Sequence, residues 1–153
     1  MMRARLVMLE VVAGPLYAVI LAASVWVLLT GHNEPGGGFI GGLLAVSASV
    51  LWAVAHGGAA ASRRLLLGDP LRLTAAGLAL ATLSGLPALW HSSAFLTHFW
   101  GSLPLGFTDL KVSTVMLFDL GVYLCVWGAL AGYAIALLGL DDLDASPAQE
   151  EKP

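Results

Sequence analysis

The sequence has few charged residues and almost no cysteine. Lys, Arg, Asp and Glu make up 11% of its 153 residues, whereas about a quarter of a typical soluble domain is charged. Hydrophobic residues make up 58%, and the mean hydropathy is +0.84. This composition excludes an ordinary soluble domain and indicates a membrane protein. Cys125 is the one cysteine and cannot pair within the chain, which excludes a disulfide framework and favours a packing role.

The sequence also lacks the motifs of catalysis and cofactor binding. It contains no GxSxG nucleophile motif, no paired catalytic carboxylates and no dinucleotide-binding fingerprint. Its four histidines include no pair at the spacing of a metal site such as HExxH. We therefore expect no catalytic residue, no metal, no cofactor and no nucleic-acid partner.

Four long apolar runs dominate the chain, each close to the roughly 20 residues that cross a bilayer. They are rich in Leu, Ala and Val and do not alternate with period two, so they predict helices and not barrel strands. The first run is too long for a signal peptide and lacks a small-residue cleavage site. We predict an all-α membrane domain in residues 1–140, a bundle of four transmembrane helices with spans at about 11–30, 39–61, 73–90 and 112–140.

Residues 141–153 carry five of the ten acidic side chains. This composition predicts a disordered cytoplasmic tail in preference to a docking peptide.

Basic residues lie mainly on one side of the predicted spans. By the positive-inside rule this distribution places both termini in the cytoplasm, with the 31–38 loop and the 90–111 segment outside. The six residues on the cytoplasmic side are Arg3, Arg5, Arg63, Arg64, Arg72 and Lys152, and the exception is Lys111.

A glycine block, GHNEPGGGFIGG, interrupts the apolar sequence between the first two spans. Pro35 and Gly36, Gly37 and Gly38 suit a tight turn. Gly41 and Gly42 persist into the next helix, where each costs about 1 kcal/mol relative to alanine unless a neighbour packs closely. Small residues also recur every three or four positions in all four spans, which favours close helix contact, and the firmest pair is Gly128 and Gly132.

Asp119 is the strongest functional candidate because a carboxylate within a span is costly. Tyr123 lies four residues later and could offer it a hydroxyl. Gly121, where the small-residue ridge of this span begins, lies about 200° away around the helix. We therefore expect Asp119 to face another polypeptide or a hydrated cavity. It either takes part in ion movement or holds helices together by hydrogen bonding, and the other ion-pathway candidates are Lys111, Glu34 and His32.

Three segments carry a family resemblance: GHNEPGGGFIGGLL, AFLTHFWGSLPLG and STVMLFDLGVYLCVWG. Together they resemble the hallmark blocks of the MnhB-type subunit of the multisubunit Mrp-type (Mnh-type) Na+/H+ antiporters, over about residues 6–138. The resemblance implies a small subunit of a hetero-oligomer in the cell membrane that exchanges cytoplasmic Na+ for external protons. It also implies a role in Na+ tolerance and pH homeostasis, and it carries over no established ion ligand.

Two functional classes remain open within this resemblance. The subunit either lines the cation or proton route, or assembles larger partners around a route that lies elsewhere. Related domains also occur in membrane-bound hydrogenase complexes, which is the alternative for the partner enzyme. A channel formed by this chain alone is disfavoured, because a small-residue bundle leaves little room for a pore.

Overall fold

The computed structural model describes residues 2–31, 36–86, 100–104 and 109–144, with side chains over 9–31, 36–86 and 115–139. This part of the chain forms five helices and one β-hairpin. The elements in chain order are α1 (Met2–Thr30), α2 (Gly38–His56), α3 (Gly58–Arg64), α4 (Pro70–Ser84), β1 (Trp100–Pro104), β2 (Asp109–Ser113) and α5 (Thr114–Asp144).

Within the described residues, three helices are long and apolar enough to cross a membrane: Leu9–Thr30, Gly38–His56 and Val115–Gly139. The α2 segment is the most enclosed, since 44% of it is buried against 17% in α1 and 28% in α5. Large apolar side chains such as Val19, Trp26 and Leu130 are exposed on the outside of the bundle, as expected for a lipid-facing surface.

The predicted span boundaries differ from the observed helices at several points. The predicted span 39–61 is broken at Gly57, whose φ of 87° ends α2 before the short helix α3 begins. The predicted span 112–140 starts two residues later, at Thr114, and its helix continues to Asp144, four residues into the predicted tail. Residues 145–153 lie outside the described part.

The predicted third span, 73–90, corresponds to α4, which has 15 residues. At 1.5 Å per residue this helix is about 22 Å long, short of the roughly 30 Å hydrocarbon core. Residues 87–90 lie outside the described part. Four transmembrane helices are therefore not established by the described residues.

The β-hairpin departs from the all-α prediction. Strands β1 and β2 pair antiparallel from Trp100 opposite Ser113 to Pro104 opposite Asp109. Pro104 closes the first strand of this two-stranded pair, and proline is tolerated in such edge strands. The sequence predicted only an outward segment here, because neither strand is long enough to stand out as an apolar run.

The start of α4 follows from local sequence. The Asp69 carboxylate accepts hydrogen bonds from the N–H groups of Leu71 at 2.8 Å and Arg72 at 3.4 Å, while Pro70 occupies the first turn. An acidic N-cap followed by proline is a strong helix start. It fixes where the chain turns back along α5.

The long helices α1, α2, α4 and α5 alternate in direction along the chain and pack around a small core. Helix α2 runs antiparallel to α1, since Gly41 lies at Ser24 while Trp52 lies at Tyr17. It runs parallel to α5, which in turn packs antiparallel to α4. The buried cluster between them comprises Leu28, Ala45, Leu65, Leu73, Tyr123, Trp127 and Ala131.

Candidate functional site

The glycine block forms a tight crossing at one end of the bundle, here named the glycine end (Gly31 and Gly36–Gly38). A Cβ on Gly31 would overlap the backbone of Gly37, and one on Gly36 would lie 2.9 Å from the Val27 carbonyl oxygen. The N–H of Gly37 donates to that same carbonyl at 3.2 Å. Gly37 has a φ of 88°, which a side chain would strain. Glycine is therefore required here by both space and conformation.

Asp119 lies against this glycine end. A Cβ on Gly38 would overlap the Asp119 backbone carbonyl, and one on Gly37 would lie 3.4 Å from the Asp119 carboxylate oxygen Oδ2. The carboxylate thus lies beside the first residues of α2, where the helix dipole presents partial positive charge. Asp119 is only four residues from Val115, the start of the α5 span, and is therefore about 6 Å along the helix from that boundary. It is partly buried near the end of the span and not at its middle.

The backbone of Asp119 is covered within this chain, whereas its side chain is only partly buried, so the expectation that the carboxylate faces another polypeptide or a cavity stays a prediction. Gly121 packs on α4, where a Cβ would lie 2.5 Å from the Ala81 nitrogen, and Asp119 packs on Gly38 of α2. The two opposite faces of α5 are therefore both covered within this chain. The expected separation of Asp119 and Gly121 on opposite faces of α5 agrees with this packing. The geometry of one helix could not reveal that a second glycine-rich helix, α2, covers the face that carries Asp119.

Tyr123 bonds to Ser24 and not to Asp119. The Ser24 hydroxyl donates to the Leu21 carbonyl at 2.7 Å and lies 3.0 Å from the Tyr123 hydroxyl. Ser24 has one proton to donate, so the Tyr123 hydroxyl donates to the Ser24 oxygen. Both side chains are buried. The bond ties α5 to α1 and ends at a backbone carbonyl.

Trp127, one turn further along α5, makes an equivalent bond to α2. Its indole Nε1–H donates to the Ser49 hydroxyl at 2.8 Å, and Ser49 donates to the Ala45 carbonyl at 3.0 Å. The Trp127 and Tyr123 rings lie edge to face with centroids 5.7 Å apart. Two aromatic donors on one helix therefore connect to serines on two different neighbours.

Gly41 and Gly42 are positions of close helix approach. A Cβ on Gly41 would lie 2.8 Å from the Ser24 carbonyl oxygen, and one on Gly42 would lie 3.0 Å from Cβ of Val126. Gly41 therefore contacts α1 while Gly42 contacts α5. Helix α2 fits between the two only because both positions lack a side chain.

The opposite face of α5 packs on α4 through small residues. A Cβ on Gly128 would lie 2.6 Å from the Thr74 nitrogen, and one on Gly132 would lie 2.6 Å from Cβ of Pro70. A Cβ on Gly77 of α4 would overlap the backbone of Cys125. This ridge brings two helix backbones into direct contact, as small-residue interfaces in membranes do.

The remaining sequence candidates are not brought to Asp119 by the described structure. His32 and Glu34 lie outside the described residues. Lys111 is placed only as a backbone position in β2, which leads directly into α5. Sequence reasoning counted Ser49 only among the small residues of its span and missed the bonds of Ser24 and Ser49, since a serine in an alanine-rich helix gives no sign of its partner on another helix.

This architecture defines a class: a multi-pass helical membrane protein whose backbones are drawn together by glycine ridges and buried aromatic–serine bonds. Residues 8–132 match the family described as a domain related to the MnhB subunit of Na+/H+ antiporters. The chain belongs to this MnhB-related family. The resemblance inferred from the three sequence blocks is thereby confirmed.

Individual relatives agree with the family match. The chain is 44% identical over 113 residues to the B-type Na+/H+ antiporter subunit of Bacillus subtilis (strain 168), covering 72% of this chain and 77% of the relative. It is 37% identical over 128 residues to the B-type Na+/H+ antiporter subunit of Alkalihalophilus pseudofirmus, covering 82% and 86% of the two chains. These matches do not favour the hydrogenase alternative.

A solved structure also shares the fold. A chain in the structure of the Mrp complex from Dietzia sp. DQ12-45-1b matches with a TM-score of 0.74 and 28% identity, covering 99% of this chain. The match spans only 15% of that other chain. The fold of this protein therefore recurs as one part of a much longer polypeptide.

Proposed function

We propose that this protein is the B-type membrane subunit of a hetero-oligomeric Na+/H+ antiporter in the cell membrane and that its main task is assembly. In this role it supports exchange of Na+ for protons, and therefore Na+ extrusion and pH homeostasis, by holding larger subunits in place. The family match over residues 8–132 carries the proposal.

The packing of the bundle favours assembly over ion conduction. Glycine contacts bring α2 against both α1 and α5, and α4 against α5. The bonds of Tyr123 and Trp127 end at backbone carbonyls, which do not release a proton. Within the described residues, neither of these hydrogen bonds connects to Asp119. Such an arrangement is suited to act as a rigid frame for other subunits.

Asp119 supports a second candidate function in ion or proton movement. Among the described side chains, none forms a hydrogen bond or ion pair with its carboxylate. A carboxylate at the end of a span attracts cations from water without the full cost of deep burial. In this role Asp119 acts at the mouth of a route shared with other subunits.

One substitution separates the two roles of Asp119. If Asp119 takes part in transport, Asp119→Asn leaves the yield of complex intact while antiport falls or its pH profile shifts, and Asp119→Glu keeps part of the activity. If Asp119 only holds helices together, the asparagine is tolerated and the larger glutamate disturbs the contact with Gly37. Na+-driven proton movement in everted vesicles over a pH series, with complex yield from the same membranes, distinguishes these results.

We also propose a fourth crossing and cytoplasmic termini. Pro70 at the start of α4 lies at Gly132, and Ala81 lies at Gly121, so α4 runs back toward the end where α5 begins. The chain must regain that end before Thr114 because α5 runs parallel to α2.

A further inference from the structure

Aromatic and basic side chains cluster at the other end of the bundle, here named the basic end (Arg63, Arg64 and Arg72). The Arg64 guanidinium carbon lies 3.6 Å from the centre of the Trp52 ring and 5.3 Å from that of Tyr17. Trp52 in turn stacks on His56, with ring centroids 3.9 Å apart. These contacts fix the position of a cation on aromatic faces.

Arg64 carries an uncompensated charge among the described residues. Arg72 has a carboxylate neighbour, Asp69, at 3.7 Å, whereas no described carboxylate pairs with Arg64. The Arg64 side chain is exposed, so its N–H groups can still reach an external anion. A guanidinium held by aromatic rings and left without a counter-ion is a binding group for phosphate.

An apolar groove begins at this guanidinium. It has a volume of about 560 Å³ and is lined by Tyr17, Ala18, Leu21, Ala22, Val25 and Arg64. From Tyr17 to Val25 the groove follows α1 for about 12 Å at the helical rise per residue. This length approaches one leaflet, about half of the 30 Å hydrocarbon core. The groove forms because the short side chains of Ala18 and Ala22 leave a depression in the surface of α1.

We propose that this groove binds an anionic phospholipid, with the phosphate on Arg64 and an acyl chain along Ala18, Ala22 and Val25. Basic pockets beside transmembrane helices on the cytoplasmic side recognise anionic head groups in this way. Charge complementarity favours a lipid over a partner helix, because every phospholipid supplies a phosphate at the depth of the groove's charged end. A helix would have to supply a buried acid there. The proposal is independent of how Asp119 acts.

Four variants of the intact complex test the charged end and the groove separately. Arg64→Gln is paired with Arg63→Gln, which removes the same charge from the neighbouring exposed residue. Ala22→Leu fills the groove and is paired with Ala23→Leu, an exposed position that does not line it. Native mass spectrometry of the delipidated complex with added phosphatidylglycerol, and with phosphatidylcholine as the zwitterionic comparison, measures binding.

We expect Arg64→Gln to weaken phosphatidylglycerol binding about fivefold, the effect of one basic group at an anionic surface. Arg63→Gln should weaken it less, Ala22→Leu should also reduce it, and Ala23→Leu should not. Equal losses for the two arginines, equal binding of phosphatidylcholine, or full binding in Ala22→Leu would overturn the proposal. Loss of another subunit from the Ala22→Leu complex, with phosphatidylglycerol binding unchanged, would overturn it in favour of a partner helix.

Discussion

At the scale of single residues, the hydroxyl of Tyr123 acts as a tie between helices. Its bond to Ser24 is buried and crosses from α5 to α1. Polar bonds between helices in membranes contribute about 0.6 kcal/mol on average. Because Ser24 keeps its own bond to Leu21 when the phenol is removed, no donor is stranded. The bond therefore makes a modest and separable contribution.

We predict that Tyr123→Phe lowers the free energy of unfolding by about 0.5 to 1 kcal/mol. Ser24→Ala in the Tyr123→Phe background should cost less than Ser24→Ala alone, because the bond is already lost. Tyr133→Phe is the matched control, since Tyr133 lies on the same helix and is 65% exposed. Unfolding in mixed detergent micelles measures all four variants. Additive losses from the two substitutions would contradict a direct bond.

The sequence located Asp119 and Tyr123 but paired them incorrectly. Spacing along one helix identifies which residues share a face, so it correctly separated Asp119 from Gly121. It carries no information about which helix covers that face. The partners of these residues, Ser24 and Gly38, lie 99 and 81 positions away, and only tertiary packing brings them together.

At the scale of elements, α2 depends on the glycines that let it approach two neighbours. In Gly42→Leu, the first carbon of the new side chain would already press against Val126 and the Tyr123 carbonyl. Helix α2 would therefore have to move away from α5. We predict a marked fall in the yield of intact complex before any change in apparent Na+ affinity. The comparison is Gly14→Leu on α1, where nothing lies within 4 Å of the added carbon.

Normal yield of the Gly42→Leu complex with altered Na+ affinity would point instead to a ligand-binding loop. Equal losses for Gly42→Leu and Gly14→Leu would contradict the role of close packing at Gly42, because leucine has a higher helix propensity than glycine at both positions.

The α4–α5 contact makes a second prediction at this scale. Gly77→Ala places a methyl group against the Cys125 backbone, which cannot rotate away, so we expect a loss of about 1 to 3 kcal/mol from overpacking. Gly139→Ala, in an open position of α5, should instead gain up to about 1 kcal/mol of helix propensity. Thermal unfolding of both variants measures the difference. A similar sign for the two changes would contradict close packing at Gly77.

Element boundaries were predicted only where sequence composition changes sharply. The long apolar runs located α1, α2 and α5, because length and composition suffice for them. The break at Gly57 was missed because the pair Gly57 and Gly58 within an apolar run gives no sign of a positive φ. The strands Trp100–Pro104 and Asp109–Ser113 were missed because each forms only by pairing with the other, so neither segment alone indicates a strand.

At the scale of the whole molecule, the direction of each helix fixes which ends lie together. Gly38 meets Asp119 and Gly42 meets Val126, so α2 and α5 begin at the glycine end and run toward the basic end. The three described arginines of the basic end therefore lie together at one end of the bundle, and the positive-inside rule would place that end in the cytoplasm. The glycine end and the start of α5 lie at the other end of the bundle.

This arrangement predicts opposite accessibility for the two ends. In a Cys125→Ala background, Asn33→Cys in the 31–38 loop should react with a membrane-impermeant thiol reagent from the outside of whole cells. Leu67→Cys, an exposed position between α3 and α4, should react only from the inside, in everted vesicles. The helix directions require the two positions to lie on opposite sides, because the single span α2 joins the two loops, and the charge asymmetry predicts which of them is cytoplasmic. Labelling of both positions from one side would contradict the crossing of α2, and a reversed pattern would contradict the cytoplasmic placement of the arginines.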